Sequence, residues 1–184
     1  MNPERRSLLA LALGLALPSA CRREPELDKL GTLSDFALTD QEGRSYGTAQ
    51  LRGQPWVASF FFTRCPTICP RLIAALRDLQ SSAKKASTPL RIVSFSVDPE
   101  HDTPAVLKTY ALEAKADLAS WTFLTGDAAL IQKTAVDGFK LATEGKADAG
   151  AEHFGILHGS HLVLVDRALT LRDYYRSEDA EARA

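Results

Sequence analysis

The chain has 184 residues, with 22 Lys and Arg against 23 Asp and Glu, and a formal net charge of −1. Hydrophobic residues make up 45% and charged residues 24%, which excludes a wholly disordered chain, a collagen-like chain and a disulfide-dense miniprotein. The near-neutral balance argues against a nucleic-acid binder with a basic face, and no apolar run reaches the ~18 residues of a spanning helix.

Arg5 and Arg6 precede an apolar run from Ser7 to Leu17, and Pro18-Ser19-Ala20 lead to Cys21. A basic segment before a short apolar run reads as a secretory signal. Small residues before a single Cys also resemble a bacterial lipoprotein cleavage box, in which the Cys becomes the first mature residue and carries lipid on its sulfur. A plain export signal and an uncleaved anchor are the alternatives. The expected division is a signal peptide over 1–20, a tether over 21–32, one domain over 33–176 and a polar tail over 177–184. The domain is then expected at the periplasmic side of the cell membrane, anchored by lipid on Cys21. There an unprotected thiol pair can oxidise.

Phe36 and Leu38 alternate with polar neighbours before Asp40-Gln41-Glu42-Gly43, which predicts a small leading hairpin. Trp56 to Phe62 is a short, nearly continuous apolar run suited to a strand buried on both faces. A turn with Cys65, Pro66, Cys69 and Pro70 follows at once, and Pro70 suits a first helical position. Leu72, Ile73, Leu76 and Leu79 then recur at helical spacing. Leu90 to Val97 reads as a second buried strand, and Thr103-Pro104 as a helix start. After the apolar stretch Trp121–Leu124, Asp127 caps a helix running through Val136, closed at Gly138. Phe139 to Thr143 is a candidate strand. His161–Asp166 and Leu169–Tyr175 read as two tightly joined strands. This order predicts an α/β fold with a mixed sheet flanked by helices and an N-terminal hairpin extension. A Cys-bearing turn after the first core strand is where thioredoxin-like folds keep their chemistry.

Cys65 and Cys69 flank Pro66-Thr67-Ile68 at that turn. A helix N-terminus has unsatisfied N–H groups and a positive dipole end, which favour thiolate over thiol. Two such sulfurs can close a disulfide or hold a soft metal. Buried structural thiols are the plainer alternative. His101 beside Asp102 reads as a solvated loop residue, and His153 as part of an Ala/Gly-rich loop. His158 and His161 stand at the entrance of the strand Leu162–Val165, on opposite faces if both are extended. Two thiolates with one imidazole suit Cu(I) or Cu(II). Zn(II) needs a fourth ligand, for which His153 or Asp98 is available. All nine prolines lie at or before Pro104, so none stands late in the chain where thioredoxin-type exchange enzymes carry one.

Four segments resemble the Sco/SenC family of copper-binding, thioredoxin-like proteins that assist assembly of cytochrome c oxidase. They are Phe61 to Pro70, Ser96 to Pro104, Trp121 to Asp127, and His158 with Leu164-Val165-Asp166 six residues on. The resemblance covers about Phe36 to Tyr175. It implies that Cys65 and Cys69 are thiolate ligands of one copper ion, Cu(I) or Cu(II), and also a redox disulfide. It implies that His158 is the imidazole ligand, with His161 the alternative. Asp98 is implied near the metal, in a supporting or partner-docking role. The implied partner is the copper-bearing subunit of cytochrome c oxidase or another copper chaperone. The family carries Gly where Leu169 and Asp173 stand here, so the last hairpin either avoids a positive φ or tolerates strain. Three other readings remain: a periplasmic thiol–disulfide reductase without obligatory metal, a peroxidase, and a copper or redox sensor.

Overall fold

The computed structural model describes residues 27–141 and 161–177. Cys21, His153 and His158 lie outside the described residues. Among the described residues no helix is long and apolar enough to cross a membrane. One eight-stranded sheet runs through the domain. Its strands are β1 (Gly31–Thr32), β2 (Ala37–Asp40), β3 (Ser45–Gly47), β4 (Trp56–Phe61), β5 (Arg91–Ser96), β6 (Trp121–Thr125), β7 (His161–Val165) and β8 (Thr170–Arg176). The spatial order is β1-β8-β7-β4-β5-β6-β2-β3.

The three central strands are parallel, and their sequences show why. Every residue of β4 and β6, and all but the first of β5, is buried, as expected for strands covered on both faces. The register sets Trp56 beside Arg91 and Phe61 beside Ser96. Helices α2 (Ile68–Lys85) and α3 (Pro104–Glu113) make the two crossovers. Their apolar residues Leu72, Ile73, Leu76, Leu107 and Ala111 pack with Phe61, Ile92, Trp121 and Phe123 on one face of the sheet. The other face carries Trp56, Phe60, Phe95 and Phe139. It is covered by Leu51 of α1 (Thr48–Leu51), Ile131 of α4 (Ala128–Lys133) and Ala135.

The predicted core strands, the two crossover helices, the leading hairpin and the closing hairpin are all present. Thr103 Oγ1 accepts from Val106 N–H and Asp127 Oδ1 from Leu130 N–H, so both helix starts are side-chain caps. Four readings change. Helix α2 begins at Ile68, which makes Pro70 its third residue; an N–H at that position would have no intrahelical partner, so a proline, which lacks one, is tolerated. The helix from Ala128 widens into a π-helical turn over Thr134–Gly138. Phe139, Lys140 and Leu141 are not a strand, because Phe139 turns into the aromatic cluster beneath the sheet. Gly31 and Thr32, placed in the tether by sequence, pair with Leu171 and Thr170 as an edge strand.

Candidate metal centre

The chain leaves the C-terminal end of β4 at Phe61 and reaches α2 through Phe62–Thr67. Cys65 lies in this loop and Cys69 in the first turn of α2. Both are free thiols and both are buried. Cys69 opens the inward stripe Cys69, Leu72, Ile73, Leu76, which is why it is almost sealed. Cys65 Sγ accepts the backbone N–H of Cys69 at 3.4 Å, so a sulfur occupies the place of a helix cap.

The two thiols differ in acidity. Burial pushes Cys65 up, but backbone N–H groups of Cys69, Thr67 and Ile68 and the Cys69 thiol outweigh it and bring the group down to about 7. Burial dominates at Cys69 and, with the neighbouring Cys65 sulfur and Asp102, pushes it up to about 12 despite a backbone hydrogen bond from Phe62. One sulfur is therefore ready to ionise near neutrality and the other holds its proton.

The loop is tied down by the connection between β5 and α3. Arg64 donates to Asp98 Oδ2 through Nη2 at 2.8 Å and Nε at 3.2 Å. Asp102 Oδ2 accepts Thr63 N–H at 3.1 Å and the Ser96 hydroxyl at 2.5 Å, and its Oδ1 accepts the Thr63 hydroxyl at 2.5 Å. His101, read from sequence as solvated, sets Nδ1 3.0 Å from Asp98 Oδ1 and 3.0 Å from Arg64 Nη2. Asp98 stands beside the thiol loop, held there by Arg64. Sequence reasoning missed Asp102 and Thr63. The available signal was two carboxylates four residues apart, just past the C-terminal end of a buried strand, where open α/β sheets bind ligands. It also missed Tyr110, whose ring stacks on Phe61 with centroids 5.4 Å apart. Burial and the fields of Cys69, Cys65 and Asp102 raise its hydroxyl above the usual phenol range.

Strand β7 runs antiparallel to β4, with Val57 beside Leu164 and Ala58 beside Val163. The start of β7 is thereby at the same end of the sheet as the thiol loop. Leu162 and Leu164 belong to the cysteine-bearing side of the core, and Val163 and Val165 to the other. By alternation His161 shares the face of Val163, across the sheet from the sulfurs. Among the described residues no group of three His, Cys, Asp or Glu gathers as a metal site.

Parallel crossovers, an antiparallel closing hairpin and a free Cys-x-x-x-Cys pair at the N-terminus of α2 define a thioredoxin-like dithiol protein. The chain belongs to the SCO1/SenC family, whose model matches residues 25–184. It is 33% identical to a SCO1/SenC family lipoprotein from Bacillus anthracis, with a TM-score of 0.71 over 86% of this chain and 90% of that one. It is 34% identical to BsSco, with a TM-score of 0.70 over 83% and 87% of the two chains. BsSco is described as a cytochrome c oxidase assembly protein of the Sco family with a disulfide switch. Bradyrhizobium japonicum ScoI, solved with copper bound, is 27% identical with a TM-score of 0.63 over 80% and 91%.

Proposed function

We propose that this protein is an exported copper chaperone that carries one copper ion on Cys65, Cys69 and His158 and supports assembly of the copper site of cytochrome c oxidase. The observation that carries the reading is the thiol pair itself: two free cysteines at the mouth of a strand-to-helix turn, with the Cys69 N–H donating to Cys65 Sγ. Thiolate sulfur with imidazole suits Cu(I), which accepts a low coordination number. The position of β7 supports a histidine as third ligand, since its first residue is at the thiol end of the sheet. His161, the first residue of β7, falls by alternation on the face away from the sulfurs, and the family resemblance points to His158 in its place.

Anchoring through lipid on Cys21 would keep the domain at the periplasmic face of the membrane, beside an oxidase subunit or another copper chaperone. Transfer proceeds by replacement of one ligand at a time by the partner's own donors. Loading requires both thiols reduced, which couples metal carriage to the disulfide state of Cys65 and Cys69. The test is Cu(I) titration of the reduced protein against a chromophoric chelator. Cys65→Ser, Cys69→Ser and His158→Ala are expected to weaken binding strongly, and His161→Ala to leave it near wild type. Full affinity in Cys65→Ser or His158→Ala sinks the ligand set.

A second reading, a thiol–disulfide reductase, is favoured by the unequal thiols, one near 7 and one near 12, which is the pattern of an attacking and a resolving cysteine. Metal-free turnover of a mixed-disulfide substrate, unchanged by copper chelation, selects it.

A further inference from the structure

We propose that the open β1 edge of the sheet is a membrane-contact surface, where Leu27 and Leu30 enter the headgroup boundary of the bilayer. This rests on the reading that the chain is anchored through lipid on Cys21.

Sequence alone suggests a tether over 21–32, and the structure shortens it. Gly31 and Thr32 form the outermost strand of the sheet, paired with Leu171 and Thr170 of β8. Leu30 N–H donates to Leu171 O at 2.9 Å. Further towards the N-terminus, Arg172 Nη1 donates to Leu27 O at 2.8 Å. Asp166 fixes the same guanidinium, with Nε 2.8 Å and Nη2 2.7 Å from Oδ2. These two side chains are only 20% and 24% exposed, so water and salt screen them less than a surface pair, and they hold Leu27 to the fold. Cys21 is six positions before Leu27. An extended chain of that length reaches about 20 Å, against roughly 40 Å for the whole of 21–32.

A short tie brings this one edge to the bilayer. Leu27 and Leu30 are 44% and 43% exposed, and Lys29 stands exposed between them. Apolar side chains held close to headgroups gain by leaving water, and a lysine stem can lie beside them with its ammonium at the phosphates. Among the described residues no strand lies outside β1, so its outer side is open. The other exposed large hydrophobics, Val106 and Leu112, lie on α3, which covers the cysteine-bearing face of the sheet. The order β1-β8-β7-β4 sets the strand that leads to Cys65 three ladder spacings, about 14 Å, from the edge. With the edge on the bilayer the strands lie along the membrane plane, and the thiol loop opens sideways and low. That presents copper to a donor or acceptor carried by another membrane-bound protein.

The experiment uses the full chain, produced with its N-terminal segment in a bacterial host and reconstituted into vesicles of phosphatidylethanolamine and phosphatidylglycerol. The acyl chains are brominated near their headgroup end. Three variants, Leu27→Trp, Leu30→Trp and Leu112→Trp, each place a reporter at an exposed leucine, where the fold tolerates it. Trp56 and Trp121 are fully buried, and the wild-type emission is subtracted. Bromine quenches only at short range, so nearness through the tether alone does not satisfy the test. Emission from Leu27→Trp and Leu30→Trp is expected to fall about twofold against unbrominated vesicles, and that from Leu112→Trp by less than about a tenth. A lipidated protein unquenched at both edge positions overturns the proposal and leaves the anchor standing. Stronger quenching in Leu112→Trp than in either edge variant also overturns it, because α3 is then the face on the bilayer. An N-terminal peptide whose mass shows no lipid on Cys21 removes the anchor reading, and this proposal with it.

Discussion

Arg64 and Asp98 bind two loops together at the C-terminal end of the sheet, with both Nε and Nη2 of the arginine on one carboxylate oxygen. The acid is buried, 2% exposed at its side chain, while the arginine is 52% exposed. Its water-facing half screens the pair, so the Coulomb gain is modest. Removing the arginine still leaves a buried carboxylate with fewer donors, and that desolvation cost governs the outcome. Arg64→Ala is expected to lower the stability of the reduced protein by about 1–2 kcal/mol in urea unfolding. His101 retains one contact to Asp98, which caps the loss. A change below about 0.3 kcal/mol would mean that the loops are held by Asp102 alone.

Leu169 adopts φ 64, in the left-handed region that favours glycine. It is also fully buried with Val165, Leu171 and Phe139. Left-handed backbone costs a side chain roughly 1–2 kcal/mol, whereas a buried leucine contributes about 2–5 kcal/mol over its truncation. Packing therefore outweighs backbone strain. Leu169→Gly is expected to destabilise the protein by about 1–3 kcal/mol, although it relieves the turn. Unfolding by denaturant checks this; a more stable glycine variant would show that strain outweighs packing here.

The strands and helices that were legible in the sequence are those whose burial pattern is local. Trp56–Phe61 is apolar on both faces because both are covered, and Leu72–Leu76 repeats because one helix face is. The thiol turn was legible because two cysteines and two prolines mark it. Leu169 shows where that ends: an apolar residue in a turn gives no sign that its backbone is left-handed. Phe139 resembled a strand start because its partners, Trp56, Phe60 and Phe95, arrive from distant parts of the chain. Asp102 was hidden for the same reason. Its partner Thr63 is 39 residues away, and no periodicity links a loop carboxylate to a loop hydroxyl.

Gly47 is needed for space rather than for φ. A Cβ built there would meet Phe36 O at 2.0 Å and Ala37 Cα at 2.9 Å, and these are backbone atoms that cannot rotate aside. Gly47 pairs with Ala37 in the hairpin that carries β2 onto β6. Gly47→Ala is expected to cost about 2 kcal/mol or more by forcing the two strands apart. Amide exchange should show the hairpin residues Ala37–Thr39 opening first, with the β4–β5 amides still protected. Unchanged protection at the hairpin would refute the close approach.

The unequal thiols give the reduced protein a distinctive pH profile. Cys65 falls from an ordinary 9.0 to about 7, so between those values the folded chain holds a thiolate where the unfolded chain holds a thiol. The unfolded state then binds more protons, and stability rises as pH increases from about 7 to 9. Cys69 is raised from 9.0 to about 12, so above pH 9 the folded chain keeps a proton that the unfolded chain releases, and stability falls again. The contribution of the pair is therefore greatest near pH 9 and declines on both sides. Alkylation should follow the same order: Cys65 reacts with iodoacetamide with a midpoint near 7, and Cys69 stays unmodified until the fold opens. Mass spectrometry of singly labelled peptides reads this directly. Equal labelling of both cysteines at neutral pH would show that Cys69 is neither buried from the reagent nor held as the thiol. Loss of the stability maximum in Cys65→Ser, with the decline above pH 9 retained, would assign the two limbs to their residues.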